Sequence, residues 1–162
     1  VGAIVSGTVS SEAKASQARA AGADHIILYT QEDCAARVRE LTGGKGVRVT
    51  FDGIGMDTWE SSLDATGRRG LIVSYGNASA PVTGISLGVL ATKGSLFSTR
   101  PTLYDYYREP AERAAGAQRL FDLIANGTLA IHIGQTYTLE QAAEAHRALQ
   151  ARETTGSTVL LP

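Results

Sequence analysis

Two hydroxyls and an ammonium, from Ser10, Ser11 and Lys14, follow the apolar run that ends at Val9. In a dinucleotide fold a carboxylate at such a strand end hydrogen-bonds a ribose hydroxyl, whereas a phosphate there is served by cations and hydroxyl donors. Tyr29, just past the next apolar run, adds a phenol hydroxyl. The N-terminus of a helix beginning near Ser11 adds amide donors and a positive dipole end. This set suits the 2′-phosphate of NADPH better than the bare ribose of NADH. A simpler reading stands beside it: Ser11 only caps a helix and Lys14 is a solvated first-turn residue. A lysine in the first turn opposes the helix dipole unless an anion is bound, which leans toward the phosphate.

Further candidates lie past the other apolar runs, at Asp52-Gly53-Ile54-Gly55, Tyr75-Gly76-Asn77 and Arg100-Pro101. Glycines there let a flat ligand approach the backbone. Asn77 carries an amide that can address a carboxamide or a phosphate. Asp52 is expected to hydrogen-bond its own turn rather than to act in catalysis. His25, His132 and His146 are far apart in sequence and are expected to be ordinary imidazoles, not a metal trio. Cys34 reads as a packed thiol and Trp59 as core. Tyr104, Tyr106 and Tyr107 either wall a substrate site or pack a joint between lobes.

These positions require strands that stop where the chemistry starts. Apolar runs at Ala3–Val9, His25–Tyr29, Val47–Phe51 and Arg69–Tyr75 alternate with helical stretches at Ser11–Ala21, Glu32–Leu41 and Thr58–Ala65. Strand and helix in alternation, with strands apolar on both faces, predict right-handed crossovers and an α/β fold built on an open parallel sheet. Ligands of such sheets lie across the carboxyl ends of the strands. Beyond Asn77 the alternation loosens. One or two helical turns are expected over Leu87–Thr92 and a strand over Gly94–Thr99. A helix over Glu109–Asn126 is expected to bury Leu120, Leu123 and Ile124. A strand at Gly134–Tyr137, a helix at Leu139–Gln150 and a strand at Ser157–Leu161 complete a tail that is expected to leave the alternation and pack elsewhere.

The phosphate loop G-x-G-x-x-G that such a fold uses is not found after a strand. Gly43-Gly44-Lys45-Gly46 follows a helix and precedes a strand, the reverse of the required order. The expectation is a Rossmann-type sheet lacking its first strand and Gly-rich loop, in a chain that is a piece of something longer. The expected division is an incomplete dinucleotide-binding domain over 1–100 and, over 101–162, a C-terminal segment belonging to a catalytic lobe.

Composition bounds the alternatives. The chain has 162 residues and a formal net charge of −1, so no global field recruits nucleic acid or an anionic membrane. No apolar run reaches the roughly 18–20 residues of a membrane span. The single cysteine excludes an internal disulfide and a multi-cysteine zinc site, and suits a reducing compartment.

Taken in order, Gly7-Thr-Val with Lys14, Ala21-Gly-Ala-Asp, Tyr29, Thr42-Gly-Gly-Lys-Gly-Val, Phe51-Asp-Gly-Ile-Gly, Arg69-Gly-Leu-Ile-Val-Ser-Tyr-Gly-Asn77, Lys93-Gly-Ser-Leu, Thr99-Arg-Pro-Thr-Leu103 and Arg152…Thr155-Gly156…Leu-Leu-Pro162 resemble the quinone oxidoreductase (zeta-crystallin-like) group of the medium-chain dehydrogenase/reductase superfamily. The resemblance covers nearly the whole chain and corresponds to the C-terminal half of that group. It implies a soluble, cytoplasmic, zinc-independent NADPH:quinone reductase that passes hydride from the nicotinamide to an electron-poor acceptor. It implies that Ser10, Ser11, Lys14 and Tyr29 hold the 2′-phosphate. Gly53, Ile54, Tyr75, Gly76 and Asn77 would line the cofactor with Pro101, Thr102 and Leu103, and Arg152 would reach it from the other lobe. It further implies a homodimer through the strand around Gly94–Thr99, with no nucleic-acid or membrane partner. An enoyl or other α,β-unsaturated carbonyl reductase, or a non-catalytic NADPH-binding module, are the alternatives.

Overall fold

The computed structural model describes residues 2–162, which form two compact units meeting in sequence at Tyr106 and Tyr107. The first unit alternates strand and helix: β1 (Ser6–Val9), α1 (Glu12–Ala20), β2 (His25–Leu28), α2 (Cys34–Leu41), β3 (Val47–Asp52), α3 (Trp59–Ala65), β4 (Thr66–Ser74), α4 (Gly88–Thr92), β5 (Phe97–Thr99) and α5 (Leu103–Tyr106). The second holds α6 (Pro110–Ala125), β6 (Ile133–Thr138), α7 (Ala142–Gln150) and β7 (Ser157–Leu161).

All strand pairings are parallel, as the alternation requires. The strands of the first unit fall into two sheets, β1-β2 and β3-β4-β5, and nothing among the described residues pairs β1 with β3. The break falls between the strands that would flank the absent first strand of a Rossmann sheet. Helices bridge it. Ile27 of β2, Val38 of α2 and Ala65 of α3 form one buried cluster, against which Val47 of β3 packs. A second cluster joins Trp59 and Leu63 of α3, Ile72 of β4 and Leu96. Ile27, Leu63 and Ile72 are fully buried, each stabilising the fold by about 1.5–3 kcal/mol relative to exposure.

The helices start where their sequences provide caps. Asp33 accepts a hydrogen bond from the Ala36 amide at 2.8 Å and opens α2, and Pro110 takes the first position of α6, where its missing N–H is not needed. Gly22 and Gly127, at φ 97° and 74°, follow α1 and α6.

Four expectations are corrected. The first strand begins at Ser6, not Ala3, because its register with β2 starts at the Ser6–His25 pair; ahead of it the Val5 amide is taken by the Asp24 carboxylate at 2.8 Å. The strand expected over Gly94–Thr99 is paired only at Phe97–Thr99, since Gly94 and Ser95 have φ of 117° and 55°. Leu120 and Ile124 of α6 are exposed rather than inside, leaving Leu123 half-buried. Lastly, β6 and β7 are parallel with α7 between them, so the tail keeps the strand–helix–strand alternation in a sheet of its own.

Candidate functional site

Each strand of the first unit ends in a residue singled out from sequence. Past β1, Ser10 and Ser11 lead into α1, and past β2 stands Tyr29. The two ends are tied together: the Tyr29 amide donates to the Val9 carbonyl at 3.2 Å and the Thr30 hydroxyl to the Ser10 carbonyl at 3.1 Å. Ser11 is the N-cap of α1, its hydroxyl oxygen accepting from the Lys14 amide at 3.4 Å. Capping uses a lone pair and leaves the hydroxyl proton to donate outward, so the cap and a ligand contact are compatible. Ser10, Ser11 and Lys14 are half-buried and Tyr29 is exposed. The one carboxylate in the first turn, Glu12, is ion-paired with Arg19 at 2.8 Å.

The ends of β3 and β4 are built around glycine contacts. A Cβ on Gly76 would collide with the Gly53 carbonyl oxygen and stand 2.8 Å from its carbonyl carbon. A Cβ on Gly53 would stand 2.8 Å from the Tyr75 hydroxyl. At Gly76 only a hydrogen atom fits, because the neighbour is backbone, whereas a side chain at Gly53 would have to displace the exposed Tyr75 ring. The two loops are laced together by the Tyr75 amide to the Asp52 carbonyl at 2.9 Å, the Ser79 amide to the Ile54 carbonyl at 2.9 Å, and the Met56 amide to the Ala80 carbonyl at 3.0 Å. Ile54 and Tyr75 project exposed from this double loop.

Beneath it lies Asp52, only 4% exposed. Its carboxylate accepts from the amides of Ile54 at 2.9 Å and Gly55 at 3.0 Å, and from the hydroxyls of Thr58 at 2.9 Å and Ser62 at 2.7 Å. Burial pushes the acid's pKa up, but the hydrogen bonds from Ser62, Gly55, Ile54 and Thr58 together outweigh it and hold the carboxyl below its ordinary range. Asp52 is thus an ionised brace for the Gly53–Gly55 loop, as its position in a turn led us to expect.

At the end of β5, the Arg100 guanidinium donates to the Ser74 carbonyl at 2.9 Å and to Asn77 Oδ1 at 2.6 Å. A guanidinium has no acceptor, so the contact fixes the amide with its oxygen toward Arg100 and its NH2 donors turned away. Asn77 and Arg100 line a cleft of about 280 Å³ with Gly76, Ser74 and Trp59. Sequence reading placed Arg100 at a strand end without giving it a role. An arginine within reach of a strand-end asparagine is a contact that sequence separation conceals. Pro101 and Thr102 follow, and Leu103 begins α5 exposed. Arg152 belongs to the second unit, on the turn after α7 with φ 61°.

The structure therefore gathers Ser10, Ser11, Lys14 and Tyr29 at the end of one sheet. It gathers Gly53, Ile54, Tyr75, Gly76 and Asn77 at the end of the other. His25, His132, His146 and Cys34 stand on separate elements, and burial, with Asp33 and Glu32 nearby, raises the thiol of Cys34 above its usual range, away from nucleophilic use.

Residues 21–160 match the zinc-binding dehydrogenase family model. The chain is 55% identical over 156 residues to the quinone oxidoreductase of Pseudomonas aeruginosa, covering 96% of this chain and 48% of that protein. It superposes on the crystal structure of Escherichia coli quinone oxidoreductase complexed with NADPH at a TM-score of 0.95 and 47% identity, over 99% of this chain and 50% of that one. The 2-haloacrylate reductase of a Burkholderia species is 45% identical, with 100% and 49% covered. The chain spans about half the length of these relatives and matches their C-terminal half. The family's description names zinc. Among the described residues no three His, Cys, Asp or Glu side chains converge on a point that would hold a metal, so these residues do not fit a zinc site. They do fit a phosphorylated dinucleotide: hydroxyls and an ammonium at one strand end, and a glycine cradle that any Cβ would fill at the other.

Proposed function

The chain belongs to the zinc-binding dehydrogenase family, in the quinone oxidoreductase group of the medium-chain dehydrogenase/reductases, and on that premise we propose that it is the cofactor-binding part of an NADPH-dependent quinone reductase. The observation that carries the reading is the strand-end set of Ser10, Ser11, Lys14 and Tyr29, in which the first-turn carboxylate of Glu12 is neutralised by Arg19 and that of Glu32 is held by the Leu28 amide at 2.8 Å. NADPH, when bound, supplies the hydride; the protein binds and orients it. Lys14 and the hydroxyls of Ser10, Ser11 and Tyr29 hold the 2′-phosphate. Gly53 and Gly76 admit the cofactor close to the backbone, with Ile54 and Tyr75 beside it. Asn77, fixed by Arg100, presents its amide donors to the nicotinamide side, next to Pro101, Thr102 and Leu103. Arg152 is given to the cofactor as the family resemblance implies. β5, an edge strand with Phe97, Ser98 and Thr99 all exposed, is proposed as the homodimer seam, in a cytoplasmic enzyme.

The acceptor is a quinone in this reading. The similarity to a 2-haloacrylate reductase supports a second one, reduction of an activated carbon–carbon double bond.

Calorimetric titration of the chain with 2′,5′-ADP and with 5′-AMP tests the assignment. Binding of 2′,5′-ADP at least about tenfold tighter than 5′-AMP, lost in Lys14→Ala, is the expected result, on the scale of one charge-assisted hydrogen bond. Equal affinities in a chain shown folded by circular dichroism would reduce Ser10, Ser11 and Lys14 to a helix start.

A further inference from the structure

Thr42-Gly-Gly-Lys-Gly46, glycine-rich but on the wrong side of its helix for a dinucleotide loop, has a place of its own. It leads into the amino end of β3, opposite the strand ends described above. A cleft of about 460 Å³ opens there, between this loop and the start of β4. Its rim carries four cations, Arg39, Lys45, Arg48 and Arg68, and no carboxylate lines it. Its floor is glycine backbone. A Cβ on Gly46 would lie 2.7 Å from both the Ala65 carbonyl oxygen and the Gly67 amide, so the two segments touch at hydrogen-atom distance.

None of the four cations is ion-paired among the described residues. Arg39 directs its guanidinium to backbone, donating to the carbonyls of Asp64 at 2.8 Å, Thr66 at 2.9 Å and Gly44 at 3.0 Å. It is locked in place with its charge intact. Arg48 donates to the Arg69 carbonyl. The flanking carboxylates are engaged elsewhere: Glu40 with Arg37, Asp64 with Lys93. In a chain whose charges nearly cancel, four uncompensated cations around one concavity make a local positive field that an oxyanion relieves.

We propose that this cleft binds a small phosphorylated ligand, gripped by Lys45, Arg48 and Arg68 over the fixed guanidinium of Arg39. A single-stranded nucleic acid fits less well, because such surfaces stack bases on aromatic side chains and none lines this cleft. The site is separate from the proposed cofactor edge and does not rest on that assignment.

The test is titration of the isotopically labelled chain with pyrophosphate and, separately, 5′-AMP, followed by amide chemical shifts. Saturable shifts over residues 44–48 and 67–68 are expected with at least one of them. Pyrophosphate alone would identify a bare anion and 5′-AMP a nucleotide; either supports the site. The exposed pair Lys45→Gln and Arg68→Gln should together weaken binding at least about tenfold with the circular dichroism unchanged, while Lys14→Ala should leave these shifts as they were. Shifts confined to Ser10–Lys14, or shifts at residues 44–48 that never saturate and vanish in modest salt, would overturn the proposal. So would tight binding of a single-stranded oligonucleotide that pyrophosphate does not displace.

Discussion

Replacing Asp52 with alanine would remove one acceptor from four donors at once. Two of these, the Gly55 amide and the Ser62 hydroxyl, are buried and would be stranded, at about 1–3 kcal/mol each. The Ile54 amide and the Thr58 hydroxyl are only partly buried and can turn to water. The expected loss is therefore about 2 to 6 kcal/mol, a large share of a domain's stability. Trp59, the only tryptophan, sits buried on α3, the helix that carries Ser62. Its fluorescence in a urea titration reports this unit directly. Asp52→Asn keeps one oxygen for the two amides and should fall between parent and alanine. The folded pKa of Asp52 is depressed, so its contribution is present above the unfolded value of about 4 and is lost as pH falls through the folded value. The parent should lose this part of its stability on acidification below about pH 4, and the asparagine variant should not. An alanine variant with the parent's urea midpoint would refute the view that Asp52 braces the loop.

Three further outcomes follow from the same geometry. Gly76→Ala must force the β3 and β4 loops apart at Gly53. It should cost about 1–3 kcal/mol in thermal unfolding and weaken NADPH far more than 2′,5′-ADP. Arg100→Met frees the Asn77 amide; NADPH affinity should fall several-fold with 2′,5′-ADP unchanged, and with stability altered by less than about 1 kcal/mol because Arg100 is exposed. Phe97→Lys places a charge on the exposed edge strand; sedimentation should show the proposed dimer for the parent and a monomer with the fold retained for the variant.

The strand ends were legible because β1 to β4 are largely apolar runs that stop at Ser10, Tyr29, Asp52-Gly53 and Tyr75, and parallel sheets put such ends to use. The capping by Ser11 was local and could be read at fixed spacing, whereas the Asp33 cap lies inside the helix expected from Glu32, which begins instead at Cys34. What escaped was non-local. Arg100 reaches Asn77 across 23 residues, and Arg39 holds carbonyls up to 27 residues away; no periodicity marks either. The α6 prediction failed differently. Leu120, Leu123 and Ile124 do share a helical face, but a shared face does not fix how deeply it is buried. The tail's parallel pairing was missed because a short sheet with a single crossover has the same sequence pattern as strands sent in different directions.

Among the described residues nothing pairs along the outer side of β3, and Phe51 on it is 71% exposed. Val47-Arg48-Val49-Thr50-Phe51 is also the kind of window, β-branched and aromatic with no proline, that nucleates cross-β assembly. Its one interruption is the charge of Arg48, which stacking in register would bring against copies of itself every ~4.8 Å. The same guanidinium that rims the basic cleft is therefore expected to act as a gatekeeper for solubility. Neutralising it should shorten the time to aggregation before it measurably changes the folded state.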